Sequence, residues 1–254
     1  MIFNAKKIKE ELKEWIIKMV GDSNVVIGIS GGKDSSICAA LCVYALGKDR
    51  VTGVLMPSTY QSDIDKSYEI CNHLGIKNIT INIGDAYKAL NNEIFSKLDI
   101  NEKDVTTVYT TNTPSRIRMV TLYGVAAIIG NARVVNTCNL SEDWVGYSTK
   151  FGDSAGDFSP FAYLTVHEVR ALGYELGVPA DLIEKVPTDG MSGKSDEEKL
   201  GFTYDELDKY IRTGEIENKE HKEKIDKMHK ANLHKIVPMP KFEYEENIIK
   251  ADGE

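Results

Sequence analysis

Between Val25 and Ser36 the chain reads VVIGISGGKDSS, and this stretch constrains the fold more than any other. Val25, Val26, Ile27 and Ile29 form a short β-branched run of the kind that fills a buried parallel strand. Gly28, Gly31 and Gly32 permit positive φ and remove Cβ atoms, so successive backbone N–H groups can converge on an anion where a helix starts near Asp34. The sequence therefore predicts a strand, a phosphate-binding turn and a helix, in that order. It is neither of the two commonest phosphate turns. The P-loop pattern would need Gly at Ile27 and Ser or Thr at Asp34, and the dinucleotide fingerprint would need Gly at Ser30.

Apolar periodicity extends this unit in both directions. Ile8, Leu12, Trp15, Ile16 and Met19 recur at helical spacing, which predicts an amphipathic helix over 4–20. Strand 24–29, helix 35–47, strand 51–56, helix 61–74, strand 78–83 and a helix over 85–97 follow, an alternation that implies a parallel sheet. Residues 98–112 read as a polar loop, and Pro114 opens a helix over 114–130, ahead of a strand at 133–137. Residues 138–160 show no period and predict a long functional loop or lid. Helix 165–176, a mobile loop over 188–200 and helices near 203–212 and 215–231 complete the chain. The fold class is α/β, a doubly wound, mainly parallel sheet with extra helices at both ends. One domain over 1–254 is expected.

Charge and composition narrow the function. A net charge of −8 argues against a broad nucleic-acid footprint. No apolar run reaches the length of a membrane span, and the N-terminus lacks the apolar core of a signal peptide. Cys38, Cys42, Cys71 and Cys138 form no C-x-x-C pair and have no zinc-like His spacing, so they are expected to be reduced, small and buried in a cytoplasmic protein. Cys138 lies beside residues assigned to the site below.

The run Ser30-Gly31-Gly32-Lys33-Asp34-Ser35 resembles the pyrophosphate loop of the N-type ATP pyrophosphatases, whose fold is adenine nucleotide alpha hydrolase-like. Further segments occur in the order and spacing of ammonia-dependent NAD synthetase. They are Asn112 to Met119 (NTPSRIRM), Thr137 to Glu142 (TCNLSE), Thr149 to Asp153 (TKFGD) with Asp157, Lys185 to Thr188 (KVPT), and His234-Lys235. The resemblance spans about residues 5 to 240. It implies a ligase that makes NAD from deamido-NAD, ATP and ammonia through an adenylated intermediate, with release of pyrophosphate and AMP. It carries over Gly28, Ile29, Ser30, Gly31, Gly32, Lys33, Asp34, Ser35, Thr137 and Thr188 as ATP contacts. Arg116, Lys150, Asp157, His234 and Lys235 carry over as deamido-NAD contacts, and Asp153 as the group that orients or deprotonates ammonia. An acidic residue beside a triphosphate calls for a divalent cation, so Asp34 is an expected Mg²⁺ ligand, and the resemblance implies Glu142 as the second. The resemblance further implies a homodimer with the dinucleotide site at the subunit interface. The apolar helix 114–130 would either serve that contact or be buried within the chain. The chain has no length for the amidase domain that glutamine-dependent relatives carry, so ammonia is expected either free or from a partner chain.

Competing readings stand beside these. Arg116 and Arg118 point in different directions from a helix, so one of them is expected to be a surface charge. Glu142 and Asp143 could be exposed loop acids, and His234-Lys235 could end a solvated helix. Adenylation of tRNA bases or of xanthosine monophosphate uses the same loop, and related folds bind adenine nucleotides without catalysis. One departure stands out: where the family carries a lysine that contacts ATP phosphates, this chain has Val166. Lys33, at the mouth of the phosphate turn, is the expected replacement, with Lys194 as the runner-up.

Overall fold

The computed structural model describes residues 3–185 and 195–242. Thr188 and Lys194 lie outside the described residues. Helix α1 (Ala5–Val20) leads into β1 (Asn24–Gly28), α2 (Lys33–Leu46), β2 (Val51–Leu55), α3 (Ile64–Leu74) and β3 (Lys77–Thr80). Helices α4 (Gly84–Leu98) and α5 (Thr107–Ile129) then carry the chain to β4 (Ala132–Val134). The four strands are parallel in the order β3-β2-β1-β4, with Val25 paired to both Val51 and Arg133. The winding therefore reverses between β1 and β4, the place where open α/β sheets bind ligands at their carboxyl ends. The segments leaving β1 and β4, Ser30 to Gly32 and Asn136 to Asn139, border that crevice.

Strand periodicity decides which side chains face which layer. Val25 and Ile27 enter a core with Ile16 and Val20 of α1 and Ile37 and Leu41 of α2. Val26 points the other way and meets Val54, Met119, Leu122 and Val125. Strand β3 is shorter than the expected 78–83 because the chain leaves strand geometry at Ile81, although Ile81 N and Ile83 N still donate to Leu55 O and Pro57 O. Helix α5 begins seven residues before Pro114. Thr106 caps its first turn, and Tyr109 packs its ring 5.6 Å from that of Phe95 while its hydroxyl donates to Asn91. Docking on α4 thus overrides the polar composition of 107–112, and the proline is tolerated inside the helix.

The second half corrects the loop expectation for 138–160. Residues Leu140–Val145 form α6, capped reciprocally by Asn139 and Glu142. Its Val145 lies in a third core with Val166, Leu200, Phe202, Tyr204, Leu207 and Ile225. Those residues come from α7 (Val166–Glu175), α9 (Asp196–Leu200), α10 (Tyr204–Thr213), α11 (Lys219–Ile236) and the turn before α10; α8 (Ala180–Ile183) packs in the first core instead. The loop expected over 188–200 ends in a helix, because Ser195 and Glu198 cap the start of α9. Helix α11 runs past the expected residue 231 because its inner face docks on α6, with Asn232 Nδ2 donating to Val145 O.

Candidate active site

The glycine-rich turn is held by its own side chains and by two from elsewhere in the chain. Among its glycines only Gly31 adopts positive φ (+75°), and a Cβ there would lie 2.9 Å from Ser67 N. Gly31 is required by both conformation and space. Gly28 instead admits Met56 and Leu122 against the strand. Ser30 Oγ lies 3.0 Å from Ser35 Oγ and accepts from Gly32 N. The Ser30 carbonyl accepts from Gln61 Nε2 at 3.0 Å, and the Gly31 carbonyl accepts from Lys185 Nζ, also at 3.0 Å. Across a trans peptide, pinning the Ser30 carbonyl turns the Gly31 N–H the opposite way. Lys185 also pairs with Asp63, whose carboxyl burial would raise but hydrogen bonds from Lys185 and Gln61 hold below its ordinary value. Gln61, Asp63 and Lys185 were not assigned to the site: Lys185 stood in the quoted KVPT segment without a role, and Gln61 and Asp63, which brace the turn and Lys185, belong to no motif.

Lys33 departs from expectation. Its side chain is only 2% exposed, and Nζ donates to Asp34 Oδ2 at 2.7 Å, so the ammonium lies inside the turn and not at its mouth. Burial works against the charge, but the Asp34 and Glu142 carboxylates outweigh it, and the net effect is an ammonium held more firmly than usual. The Tyr204 ring covers it at 5.7 Å. Val166 is 1% exposed within the third core. A lysine there would place its chain among apolar neighbours, so substitution at Val166 is not a route to restoring a phosphate contact.

Asn139 ties the two expected metal carboxylates together. Its Nδ2 donates to Asp34 Oδ1 at 3.2 Å, its Oδ1 accepts from Glu142 N at 3.1 Å, and its own N lies 3.4 Å from Glu142 Oε2. The cue was an N-x-x-E capping pattern ahead of an apolar residue. Glu142 is no exposed loop acid: burial, then the Asp34 charge, pushes its carboxyl well above the ordinary range. Two carboxylates whose ionisation opposes one another in a buried place call for a cation between them. No cluster of three or more His, Cys, Asp or Glu side chains suited to a metal occurs among the described residues. Magnesium takes one or two protein carboxylates and draws its other oxygens from phosphates and water, so a pair such as Asp34 and Glu142 is a set it can use.

Asp153 is bonded both to the segment that leads into Asn139 and to the helix that carries Arg116. Its Oδ1 accepts from Ser115 Oγ at 2.6 Å and from Thr149 N at 3.0 Å, and Oδ2 lies 4.0 Å from Cys138 Sγ. Burial raises the Glu142 carboxyl and lowers the Lys235 ammonium, and the Asp153 charge adds to the first shift and opposes the second. Cys138 is buried, as are the other three cysteines, and all four are free. Arg116, Lys150, His234 and Lys235 line one cavity of about 460 Å³ together with Thr107, Val108, Thr111 and Asn112. Their sequence separation is closed by α11, where Lys235 Nζ donates to Gly146 O and Ser148 O, and by Lys150 Nζ, which donates to His234 O. Asp157 is not brought there: its Oδ2 accepts from Val134 N at 2.7 Å and its Oδ1 from Tyr123 OH. Nor is Arg118 the idle surface charge of its pair. It turns inward, and Nε donates to Met56 O at the end of β2. Thr137 sits in the segment between β4 and α6.

Comparison with known proteins assigns the whole of this arrangement to a family. The NAD synthase family model matches residues 5–244. The chain belongs to the NAD synthase family. It is 39% identical over 228 residues to the NH(3)-dependent NAD(+) synthetase of Methanococcus aeolicus, covering 87% of each chain. Among solved structures, NMN synthetase from Francisella tularensis superposes with a TM-score of 0.83 at 32% identity, over 95% of this chain and 100% of that one. The NH3-dependent NAD synthetase from Campylobacter jejuni superposes with a TM-score of 0.75 at 29% identity, over 96% and 100%. The doubly wound parallel sheet is thus the fold of this family's enzymes.

Proposed function

We propose that the chain performs its family's ligation on this site: deamido-NAD, ATP and ammonia become NAD, AMP and pyrophosphate. The observation that carries the reading is that Asp153 bonds both to the segment leading into Asn139, which bridges Asp34 and Glu142, and to Ser115, the neighbour of Arg116 in the cavity that Lys150, His234 and Lys235 also line. The cavity cations suit the dinucleotide diphosphate and the nicotinate carboxylate. The turn from Gly28 to Ser35, with Thr137 and Thr188, suits ATP. Asp34 and Glu142 would hold magnesium, which offsets phosphate charge when bound. A nicotinate carboxylate oxygen attacks the α-phosphorus and pyrophosphate leaves toward the phosphate turn, whose N–H donors stabilise the charge it carries away. Ammonia then attacks the adenylated carboxyl carbon, and AMP departs. Asp153, held through Oδ1, keeps Oδ2 to orient ammonia or accept its proton.

Free ammonia as donor is supported by the 87% coverage of an ammonia-dependent relative. We place the enzyme in the cytoplasm on its four unpaired cysteines; no helix among the described residues is long and apolar enough to cross a membrane. A homodimer is supported by α5. Met119, Leu122 and Val125 are buried on the sheet, while Val120 and Ile128 on its other side are 73% and 89% exposed. Asp157 borders Tyr123 on that outer side, which would let it complete a dinucleotide site across the subunit contact.

Pyrophosphate release from ATP tests the reading. Release that depends on deamido-NAD is the expected result. The likeness to an NMN synthetase makes the corresponding mononucleotide acid the control substrate, and release that depends on it alone would replace the dinucleotide in this proposal. Release that depends on neither acid refutes the ligation.

A further inference from the structure

Both oxygens of Asp34 are engaged before any metal arrives. Oδ1 accepts from Asn139 Nδ2 at 3.2 Å, and Oδ2 accepts from Lys33 Nζ at 2.7 Å. The Lys33 side chain is sealed from water beneath the Tyr204 ring, and Glu142 adds a second carboxylate within its field. An ammonium in such a place stands where a cation is wanted and cannot share that place with one. The Tyr204 hydroxyl is also buried and has no hydrogen-bond partner among the described residues, so an acceptor lies unused in the residue that roofs the ammonium.

We infer that Lys33 is an internal counter-ion of the metal site: it neutralises the Asp34–Glu142 pair in the metal-free enzyme, and a divalent cation binds only by displacing its ammonium from Asp34. The inference rests on Asp34 and Glu142 as the metal carboxylates. It assigns Lys33 a role opposite to that of a phosphate ligand. The lysine opposes the metal directly, where a phosphate contact would assist nucleotide binding and leave metal affinity unchanged. Holding the carboxylates in place without metal has a consequence in both directions. The empty site stays formed, and the metal binds more weakly than two bare carboxylates would allow.

The test is Mn²⁺ alone, titrated into the nucleotide-free enzyme and read by water-proton relaxation at pH 8.5, where protons compete least for the carboxylates. Lys33→Met is expected to bind Mn²⁺ at least tenfold more tightly than wild type, and Lys33→Gln to follow it. Both variants are expected to melt below wild type without metal and to recover more than wild type when Mn²⁺ is added. Wild-type enzyme offers a check that needs no variant. A slowly exchanging lysine ammonium resonance in its ¹⁵N NMR spectrum should shift on saturation with Mg²⁺. Equal Mn²⁺ affinity in wild type and both variants, with binding lost in Asp34→Asn, overturns the displacement and leaves the metal assignment standing. Binding that survives Asp34→Asn and Glu142→Gln unchanged overturns the metal assignment and the inference together. No measurable binding by any of these proteins overturns the inference as well, since a counter-ion would then have nothing to yield to.

Discussion

Gly146→Ala is the substitution through which the structure links fold to substrate most directly. Gly146 ends α6 in the left-handed region, with φ +66°, which costs an alanine about 1 kcal/mol. Its added methyl would lie 2.1 Å from Asn232 Cβ and 2.3 Å from Asn232 Cγ, whereas carbon atoms rest at about 3.5–4.0 Å. The closest clash is with the Cβ, so no rotation of the Asn232 side chain relieves it and α11 itself must retreat. Overpacking of this kind adds about 2 kcal/mol, for a total of about 3 kcal/mol and a Tm lower by about 6–12 °C in a chain of this size. The retreat carries away His234 and Lys235, which lie on α11, and pulls against the bonds of Lys235 to the Gly146 and Ser148 carbonyls. Displacement of about 1 Å at a positioned contact can cost about a hundredfold in rate, so KM for deamido-NAD is expected to rise at least tenfold while that for ATP stays near wild type. Thermal melts and steady-state kinetics measure both. Asn232→Gly should recover most of the binding, at about 1 kcal/mol for glycine inside a helix, while Asn232→Ala should not, since it keeps the Cβ. A Gly146→Ala enzyme with unchanged Tm and KM would refute the argument that α11 is seated by this contact.

The two carboxylates proposed to hold the metal should separate by stability. Glu142→Gln and Asp34→Asn are each expected to stop adenylation, yet only Asp34→Asn should lose about 3 kcal/mol in a denaturant melt, because it strips the buried Lys33 of its bonded partner; equal melts would refute that pairing. Lys150→Ala and His234→Ala are expected to weaken deamido-NAD about tenfold by titration with little change for ATP, and the reverse pattern would remove both from the dinucleotide cavity. The Asp63 carboxyl is held below its ordinary value, so its stabilising pair with Lys185 is present at neutral pH and is lost as pH falls below about 4. Asp63→Asn should therefore flatten the acid limb of the stability profile, and an unchanged limb counts against the brace. Ile128→Asp, on a side chain 89% exposed, should leave the melt within about 0.5 kcal/mol and shift sedimentation toward the monomer; a dimer of unchanged strength would exclude this face of α5.

The local signals were legible in the sequence because local physics decided them. The VVIGISGGKDSS run announced its strand, its turn and its helix, since β-branched apolar residues and glycines at those spacings leave little else for the backbone to do. The βαβ alternation carried the parallel sheet in the same way, and the spacing of later segments carried the family. The extents of α5 and α11 were not readable, because docking on α4 and on α6 extends each helix past the point where composition alone would end it. Helix α6 was hidden for a related reason: at six residues it is too short to show a period, and its stability comes from a cap and one buried valine. Only the tertiary structure could decide the charges. Lys33 reads as an open cation one residue from Asp34, and the Tyr204 ring, 171 positions later in the chain, closes over it. The Val166 environment is likewise assembled from five helices. A sequence specifies which groups can ionise; which of them lose their water depends on what the rest of the chain packs on top.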